Sequence, residues 1–347
     1  MTRRNFAALA AAAPLAFSTA SAAPRTAVGV GSASFFYRAG QERKRGETPI
    51  TDPLRLAAYC AELGAGGIQA RLPTSNYSYA SKLRSLTEKN GMYFEATVDL
   101  PRNEADLDDF KKTLKAADQA GARVVRVVLF SGSRYESFSD FEHYQEARNQ
   151  AWKSVTLAEP MLRKRKMKIA IENHKDLRSP DLLELLDRIQ SEYVGVCVDL
   201  GNNYALMEDP VDIARAFAKF AFSCNIKDHQ LRSSDRGFQL FDAQLGTGII
   251  DLRKAISTLK QYQPNVKLLL ETMTRDALEI PYLEDDYWLT LKDLPGRDLI
   301  RTLRTVRETE PTEPFPIISK LSPDERIKLE DDNVRAGLDY AANVLGL

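Results

Sequence analysis

The sequence has few cysteines and no dominant sign of charge. Its three cysteines, Cys60, Cys197 and Cys224, are far apart and form no Cys-x-x-Cys pair, which argues against a disulfide framework and a thiolate zinc site. Lys plus Arg and Asp plus Glu number 48 each, so no overall basic field attracts nucleic acid or an anionic membrane surface. We therefore expect a small neutral or weakly charged substrate, and no nucleic-acid or membrane partner.

Long hydrophobic runs are also lacking, and the most apolar one lies at the N-terminus. Residues 7–17 are apolar, but a membrane-spanning helix needs roughly 20 such residues. The run follows Arg3 and Arg4 and precedes small residues, the order of a secretory signal peptide. The arginine pair resembles a twin-arginine signal without its usual later Lys, and an ordinary secretion signal is the alternative. We predict a signal peptide over residues 1–23 and an exported, periplasmic protein.

From residue 28 onward, short β-branched runs alternate with amphipathic segments. Eight such rounds follow one another without a Gly/Ser-rich or Pro-rich linker. The predicted strands are residues 28–32, 67–71, 92–98, 124–130, 168–173, 194–200, 221–227 and 266–271. Because parallel strands need crossover connections, this pattern predicts an α/β fold of the (β/α)8 TIM-barrel type, as one domain over residues 24–310. A doubly wound sheet is the alternative, but the first strand is not followed by the Gly-x-Gly-x-x-Gly helix start typical of that fold.

Beyond residue 310 the composition changes. Pro311, Pro314 and Pro316 precede a charged helical segment, residues 323–344. We interpret residues 311–347 as a C-terminal helical extension that packs on the barrel or contacts a second subunit, so a homo-oligomer is possible.

Polar side chains stand where four of the predicted strands end. Period-two alternation puts Glu172, Asp199 and Glu271 on one side of their strands, and catalytic groups of parallel barrels lie at the carboxyl ends. Three converging carboxylates would repel one another unless a cation neutralised them, and an oxygen-rich set suits a divalent metal ion. Each carboxylate taken singly could equally be a salt-bridged strand-end acid.

The motifs at these strand ends carry a family resemblance. They are residues 171–174 (Ile-Glu-Asn-His), 198–202 (Val-Asp-Leu-Gly-Asn), 226–228 (Ile-Lys-Asp) and 245–251 (Leu-Gly-Thr-Gly-Ile-Ile-Asp). With them, most of the mature chain resembles the xylose isomerase-like TIM-barrel superfamily, the sugar phosphate isomerase/epimerase group.

The resemblance implies one divalent metal ion, Mn, Zn, Co or Mg, held by Glu172, Asp199, Asn225 and Glu271. The third ligand departs from the family, which usually has His where this sequence has Asn225. An amide oxygen is a weaker ligand than imidazole, so lower metal affinity is expected. His229, which would have to reach back toward the metal, is an alternative third ligand.

The same resemblance assigns catalytic and substrate-binding roles. Glu172 and Glu271 would move a proton on the carbon beside a metal-bound carbonyl, with Lys227 as a further catalytic group. The implied substrate-binding residues are His174, Asn202, His229 and Arg275. Structural roles remain open for these residues, such as an ion pair for Lys227 and a surface position for Arg275.

The predicted function is a sugar isomerase or epimerase acting on a small carbohydrate. A dehydratase or lyase on an oxidised sugar would begin with the same proton abstraction, and sequence does not separate the two. A non-catalytic sugar-binding protein with a decayed metal site is the other alternative. A multinuclear phosphodiesterase is disfavoured, because the chain has only three histidines.

Overall fold

The computed structural model describes residues 23–73 and 76–347, and the predicted signal peptide lies, apart from residue 23, outside this part of the chain. Eight parallel strands close into a barrel in which β1 pairs with both the second and the last barrel strand. They are β1 (Gly29–Gly31), β2 (Gly67–Arg71), β3 (Tyr93–Thr97), β4 (Val124–Val127), β5 (Lys168–Glu172), β6 (Val194–Asp199), β7 (Ala221–Ile226) and β10 (Lys267–Leu270). The predicted (β/α)8 barrel is confirmed.

Helices surround the barrel, and local sequence signals start several of them. Asp52 accepts hydrogen bonds from the backbone N–H groups of Leu54 and Arg55, and Pro53 occupies the first helical position of α2. The α-helices are α1 (Phe36–Lys44), α2 (Pro53–Glu62), α3 (Tyr77–Lys89), α4 (Leu107–Gln119), α5 (Arg134–Ser137), α6 (Phe141–Arg165), α7 (Ser179–Ile189), α8 (Pro210–Phe217), α9 (Leu252–Tyr262), α10 (Asp285–Trp288), α11 (Gly296–Thr309) and α12 (Pro323–Tyr340). Among the described residues, no helix combines the length and apolar character needed to cross a membrane.

A small antiparallel sheet is inserted after the seventh barrel strand, and its third strand follows the eighth. The strands β8 (Asp228–Ser234) and β9 (Gly237–Ala243) form a hairpin, and β11 (Leu278–Ile280) pairs with β9. The sequence analysis predicted no strand here, because the large apolar residues Leu231, Phe238, Leu240 and Phe241 lie in a mostly polar stretch. This hairpin follows directly from β7, and it therefore forms part of the wall above the barrel.

The barrel interior contains a buried carboxyl group, Glu95 on β3. Gln69 Nε2 donates to its Oε1 at 2.6 Å, and Ser223 Oγ donates to the same oxygen at 3.1 Å. Burial raises the pKa of Glu95 to about 7, against an ordinary value of 4.5. The folded protein therefore binds a proton at this position that the unfolded chain releases at lower pH.

Glu95→Gln is expected to make the free energy of unfolding less dependent on pH. A carboxyl group with a raised folded pKa stabilises fully below pH 4.5, and this contribution is lost as the pH rises to about 7. The free energy of unfolding of the variant, relative to the parent, should therefore rise by about 3 kcal/mol between pH 4 and pH 8. Urea unfolding at both pH values measures this difference, and an unchanged difference would contradict it.

The C-terminal helix α12 is joined to the start of the barrel by a buried carboxylate. Glu330, which is 0% exposed, accepts hydrogen bonds from the backbone N–H groups of Tyr37 (2.7 Å) and Arg38 (2.9 Å) in the first turn of α1. These N–H groups have no partner within their own helix. Gly337 of α12 lies so close to Leu270 of β10 that a larger side chain there would collide. The extension therefore packs on the barrel where its first and last strands meet.

Candidate active site at the carboxyl ends of the strands

Three carboxylates converge where β5, β6 and β10 end. Glu172 is the last residue of β5, Asp199 is the last of β6, and Glu271 directly follows β10. Each offers an oxygen atom within 4.8 Å of the others, and the residues are only 1%, 0% and 6% exposed. The structure thus brings together the three acidic residues that strand periodicity placed on one side.

Two basic side chains partly compensate the negative charge of this cluster. Lys227 Nζ lies 2.7 Å from Asp199 Oδ2 and 2.8 Å from Glu271 Oε2, and Arg126 forms an ion pair with Glu172. Lys227 was predicted for the site, whereas Arg126 was not. The signal for Arg126 was a single charged residue inside the otherwise apolar strand β4.

Burial and the ion pairs act in opposite directions on the pKa values of the cluster. Burial raises the pKa of Asp199 to about 6, although Lys227 acts in the opposite direction. Burial would also raise the pKa of Glu271, but Lys227 and Arg126 outweigh it and hold that pKa well below its usual range. Glu271 is therefore ionised at neutral pH and able to accept a proton.

Asn225, the predicted third metal ligand, lies between two of the carboxylates. Its Nδ2 donates to Glu172 Oε2 at 3.2 Å and to Glu271 Oε2 at 3.4 Å, while its Oδ1 is 3.5 Å from Cys197 Sγ. The amide thus presents its nitrogen to the carboxylates. A metal ion would bind Oδ1 only after the amide had rotated by half a turn.

The three carboxylates of this donor set fit a hard divalent cation. Their clustering and burial match oxygen ligation by Mg or Mn, and Asn225 completes the set once rotated. No histidine nitrogen joins this cluster within the described residues. His229 instead places its Nε2 3.4 Å from Asp242 Oδ1 on β9, so the structure does not supply it as the third ligand.

Backbone and amide contacts explain the motifs at the ends of β5 and β6. Asn173 donates from Nδ2 to the Asp199 carbonyl oxygen (2.8 Å) and accepts from the Asp199 N–H (2.8 Å). The N–H groups of Gly201 and Asn202 both donate to Asp199 Oδ1 at 2.9 Å. A side chain on Gly201 would collide with His229 and Lys227. These contacts fix the orientation of the Asp199 carboxylate.

Asn202 links the carboxylate cluster to a lysine that sequence reasoning missed. Its Nδ2 donates to Glu172 Oε1 at 3.3 Å, and its Oδ1 accepts from Lys175 Nζ at 3.0 Å. Lys175 follows the Glu-Asn-His motif after β5, and it is only 7% exposed. Its position one residue beyond that motif was the available signal.

His174 and Arg275, both predicted to contact substrate, have different surroundings. Burial, followed by Lys175 and Lys227, lowers the pKa of His174 well below its usual value, so its imidazole is neutral. Its buried Nδ1 has no hydrogen-bond partner among the described residues, and is free to contact a ligand. Arg275 Nε is 2.8 Å from Asp242 Oδ2, so Asp242 joins Arg275 to His229.

Asp228 shapes the loop after the hairpin. Its carboxylate accepts hydrogen bonds from the backbone N–H groups of His229, Gly246, Gly248 and Ile250, at distances of 2.9 to 3.1 Å. The two residues of the Lys-Asp motif therefore have different roles. Lys227 contacts the carboxylate cluster, and Asp228 holds residues 245–251 in place.

Comparisons with known proteins agree with this architecture. Residues 57–291 match the family model described as xylose isomerase-like TIM barrel. A curated relative, 3-oxo-isoapionate decarboxylase of Pectobacterium atrosepticum, is 24% identical over 254 residues, covering 71% of this chain and 85% of that protein.

Two solved structures are similar in fold. A xylose isomerase-like TIM barrel protein from Mycobacterium smegmatis in complex with magnesium is 17% identical, with a TM-score of 0.56 over 80% of this chain and 97% of that chain. The structure of L-ribulose 3-epimerase is 14% identical, with a TM-score of 0.53 over 83% of this chain and 99% of that one. At these identities the likeness shows the fold alone.

Proposed function

Because this chain belongs to the family of xylose isomerase-like TIM barrels, we propose that it is a divalent-metal-dependent isomerase or epimerase acting on a sugar or sugar derivative. The observation that carries the proposal is the buried cluster of Glu172, Asp199 and Glu271 at the carboxyl ends of three barrel strands. This is the end of the barrel at which TIM-barrel enzymes place their catalytic groups.

Glu172, Asp199 and Glu271 would hold the metal ion, with Asn225 as the fourth ligand after rotation of its amide. The ion, when bound, polarises a substrate carbonyl and so acidifies the neighbouring C–H group. The magnesium complex of the similar Mycobacterium smegmatis protein supports a hard divalent cation in this fold.

Two carboxylates of the chain would transfer the proton. Glu271 is ionised because of Lys227 and Arg126, so it can accept a proton from the substrate carbon. Glu172, held by Arg126, Asn202 and Asn225, would return or accept the proton on its own side of the substrate. Lys227 moderates the charge of the cluster, since it contacts both Asp199 and Glu271.

His174, Asn202, His229 and Arg275 would orient the hydroxyl groups of the sugar. His174 offers a neutral imidazole with an unpaired Nδ1, which can exchange a hydrogen bond with a hydroxyl without adding charge. His229 places its Nε2 3.4 Å from Asp242 Oδ1, and its buried Nδ1 has no hydrogen-bond partner among the described residues.

A lyase acting on an oxidised sugar is the second candidate. A dehydratase would form the same enolate by proton abstraction and then lose a leaving group, whereas a decarboxylase would form an enolate by losing CO2 and would then protonate it. The curated relative named as a decarboxylase favours this candidate.

We also propose that the mature protein works in the periplasm, on the strength of the N-terminal residues 1–23. A free sugar, a glycoside or an oxidised sugar suits that location better than a sugar phosphate. Activity confined to sugar phosphates would count against this assignment.

Elemental analysis of the purified mature protein tests the metal site. We expect about one equivalent of Mn, Zn, Co or Mg in the parent and a loss of metal in Asp199→Ala, because Asp199 is one of three clustered ligands. Asp187→Ala, an exposed position on α7, is the matched control and should keep its metal. If the parent takes up no metal even from excess ions, the proposed mechanism is wrong, and sugar binding without turnover becomes the better account.

A further inference from the structure

Lys175 is the one buried cation of the candidate site without a carboxylate partner among the described residues. Arg126 is paired with Glu172, Lys227 with Asp199 and Glu271, and Arg275 with Asp242. Lys175 Nζ instead has a single side-chain contact, the amide oxygen of Asn202 at 3.0 Å. Buried lysines are almost always paired with an anion, since an unpaired buried charge is costly.

Other positively charged groups lie near Lys175. Burial and then the neighbouring Lys227 and Arg275 lower its pKa to about 8, so the amine is still mostly protonated at neutral pH. A divalent cation bound by Glu172, Asp199 and Glu271 would add further positive charge on the same side. An anionic group on the ligand would relieve this excess.

The backbone near Lys175 fixes its position. The Arg134 N–H donates to the Lys175 carbonyl oxygen at 2.7 Å. The Arg134 side chain in turn donates hydrogen bonds to Asp181 and Thr290. On its other side, Asn202 connects Lys175 to Glu172. The ammonium group is therefore held beside the carboxylate cluster, within the reach of one small ligand.

We propose that Lys175 binds a carboxylate of the substrate, which makes the substrate class sugar acids and their oxo derivatives. This inference rests on the proposed function for the reacting end of the substrate, but it is tested by binding alone. A single lysine beside an amide oxygen suits one carboxylate, whereas phosphate sites usually supply several N–H donors or a helix N-terminus.

The test uses glycolate, an achiral carboxylate with a neighbouring hydroxyl, and ethylene glycol as its neutral counterpart. Both are titrated by NMR into the full mature protein treated with a chelator, so that no metal ion contributes to carboxylate binding. We expect glycolate to bind more tightly than ethylene glycol. Lys175→Met should weaken glycolate binding by about tenfold to a hundredfold, the usual worth of a charge-assisted hydrogen bond.

Lys175→Arg keeps the charge and should retain most of the glycolate affinity, while Lys82→Met, an exposed position on α3, should match the parent. Equal binding of glycolate and ethylene glycol, or glycolate binding unchanged in Lys175→Met, would overturn the proposal. Tighter binding of inorganic phosphate than of glycolate would also overturn it, in favour of a phosphorylated ligand. Since the metal content of the parent is measured separately, failure here is distinguishable from failure of the proposed metal chemistry.

Discussion

Glu271→Gln is expected to lower the rate of proton exchange between substrate and solvent by about 10²- to 10⁴-fold, the usual contribution of a positioned general base. Lys227 and Arg126 keep the Glu271 carboxylate ionised, and the amide that replaces it has almost the same shape but cannot accept the proton. Deuterium incorporation into a turned-over sugar, followed by NMR in D₂O, measures the exchange.

Two comparisons make this expectation specific. Glu192→Gln, an exposed position before β6, should exchange at the parental rate. KM should change much less than kcat, because the amide still fills the site and can accept a hydrogen bond from Lys227. Exchange within a factor of three of the parent would remove Glu271 from the proton-transfer pair.

Arg126→Met is expected to lower the free energy of unfolding of the metal-free protein by about 3–5 kcal/mol. The substitution keeps much of the side-chain volume but leaves Glu172, which is 1% exposed, without its cationic partner. Its two amide neighbours, Asn202 and Asn225, donate hydrogen bonds but carry no charge. Urea unfolding in the presence of a chelator measures the loss.

A divalent cation should restore part of this stability. Because Mn²⁺ added to the carboxylate cluster would compensate the charge of Glu172, the variant should gain more stability from Mn²⁺ than the parent does. Arg84→Met, which breaks the exposed pair between Arg84 and Glu88 on α3, should cost less than about 1 kcal/mol. A similar small cost for Arg126→Met would show that its ion pair is not what makes the buried carboxylate tolerable.

The barrel was predictable because its signals are local and repeated. Each parallel strand is a short apolar run, and closure by eight such units follows from the need for crossovers. Period-two alternation likewise sufficed for Glu172, Asp199 and Glu271, since the ends of parallel strands share one rim. The hairpin of β8 and β9 was missed because polar residues occupy several of its buried positions, among them Asp228, His229 and Asp242.

The partners within the site were less predictable than its position. A sequence pattern placed Asn225 beside the carboxylates, but not the direction of its amide, which depends on Glu172, Glu271 and Cys197 together. Arg126 stands on a strand that contributes no acidic group to the cluster. Lys175 is distinguished by an amide oxygen where the other cations of the site have a carboxylate, and its place in the sequence does not show this. Such features come from contacts between distant segments, which spacing along the chain does not encode.

The hydrogen bonds from Tyr37 and Arg38 to Glu330 also bear on how the protein is made. They join residues 293 and 292 positions apart, so a ribosome has nearly finished the chain before the first turn of α1 can receive its capping carboxylate. Contacts this distant in sequence form late and slow the final folding step. We expect the growing chain to remain incompletely folded until α12 emerges, and a chain stopped before residue 323 to stay dependent on chaperones.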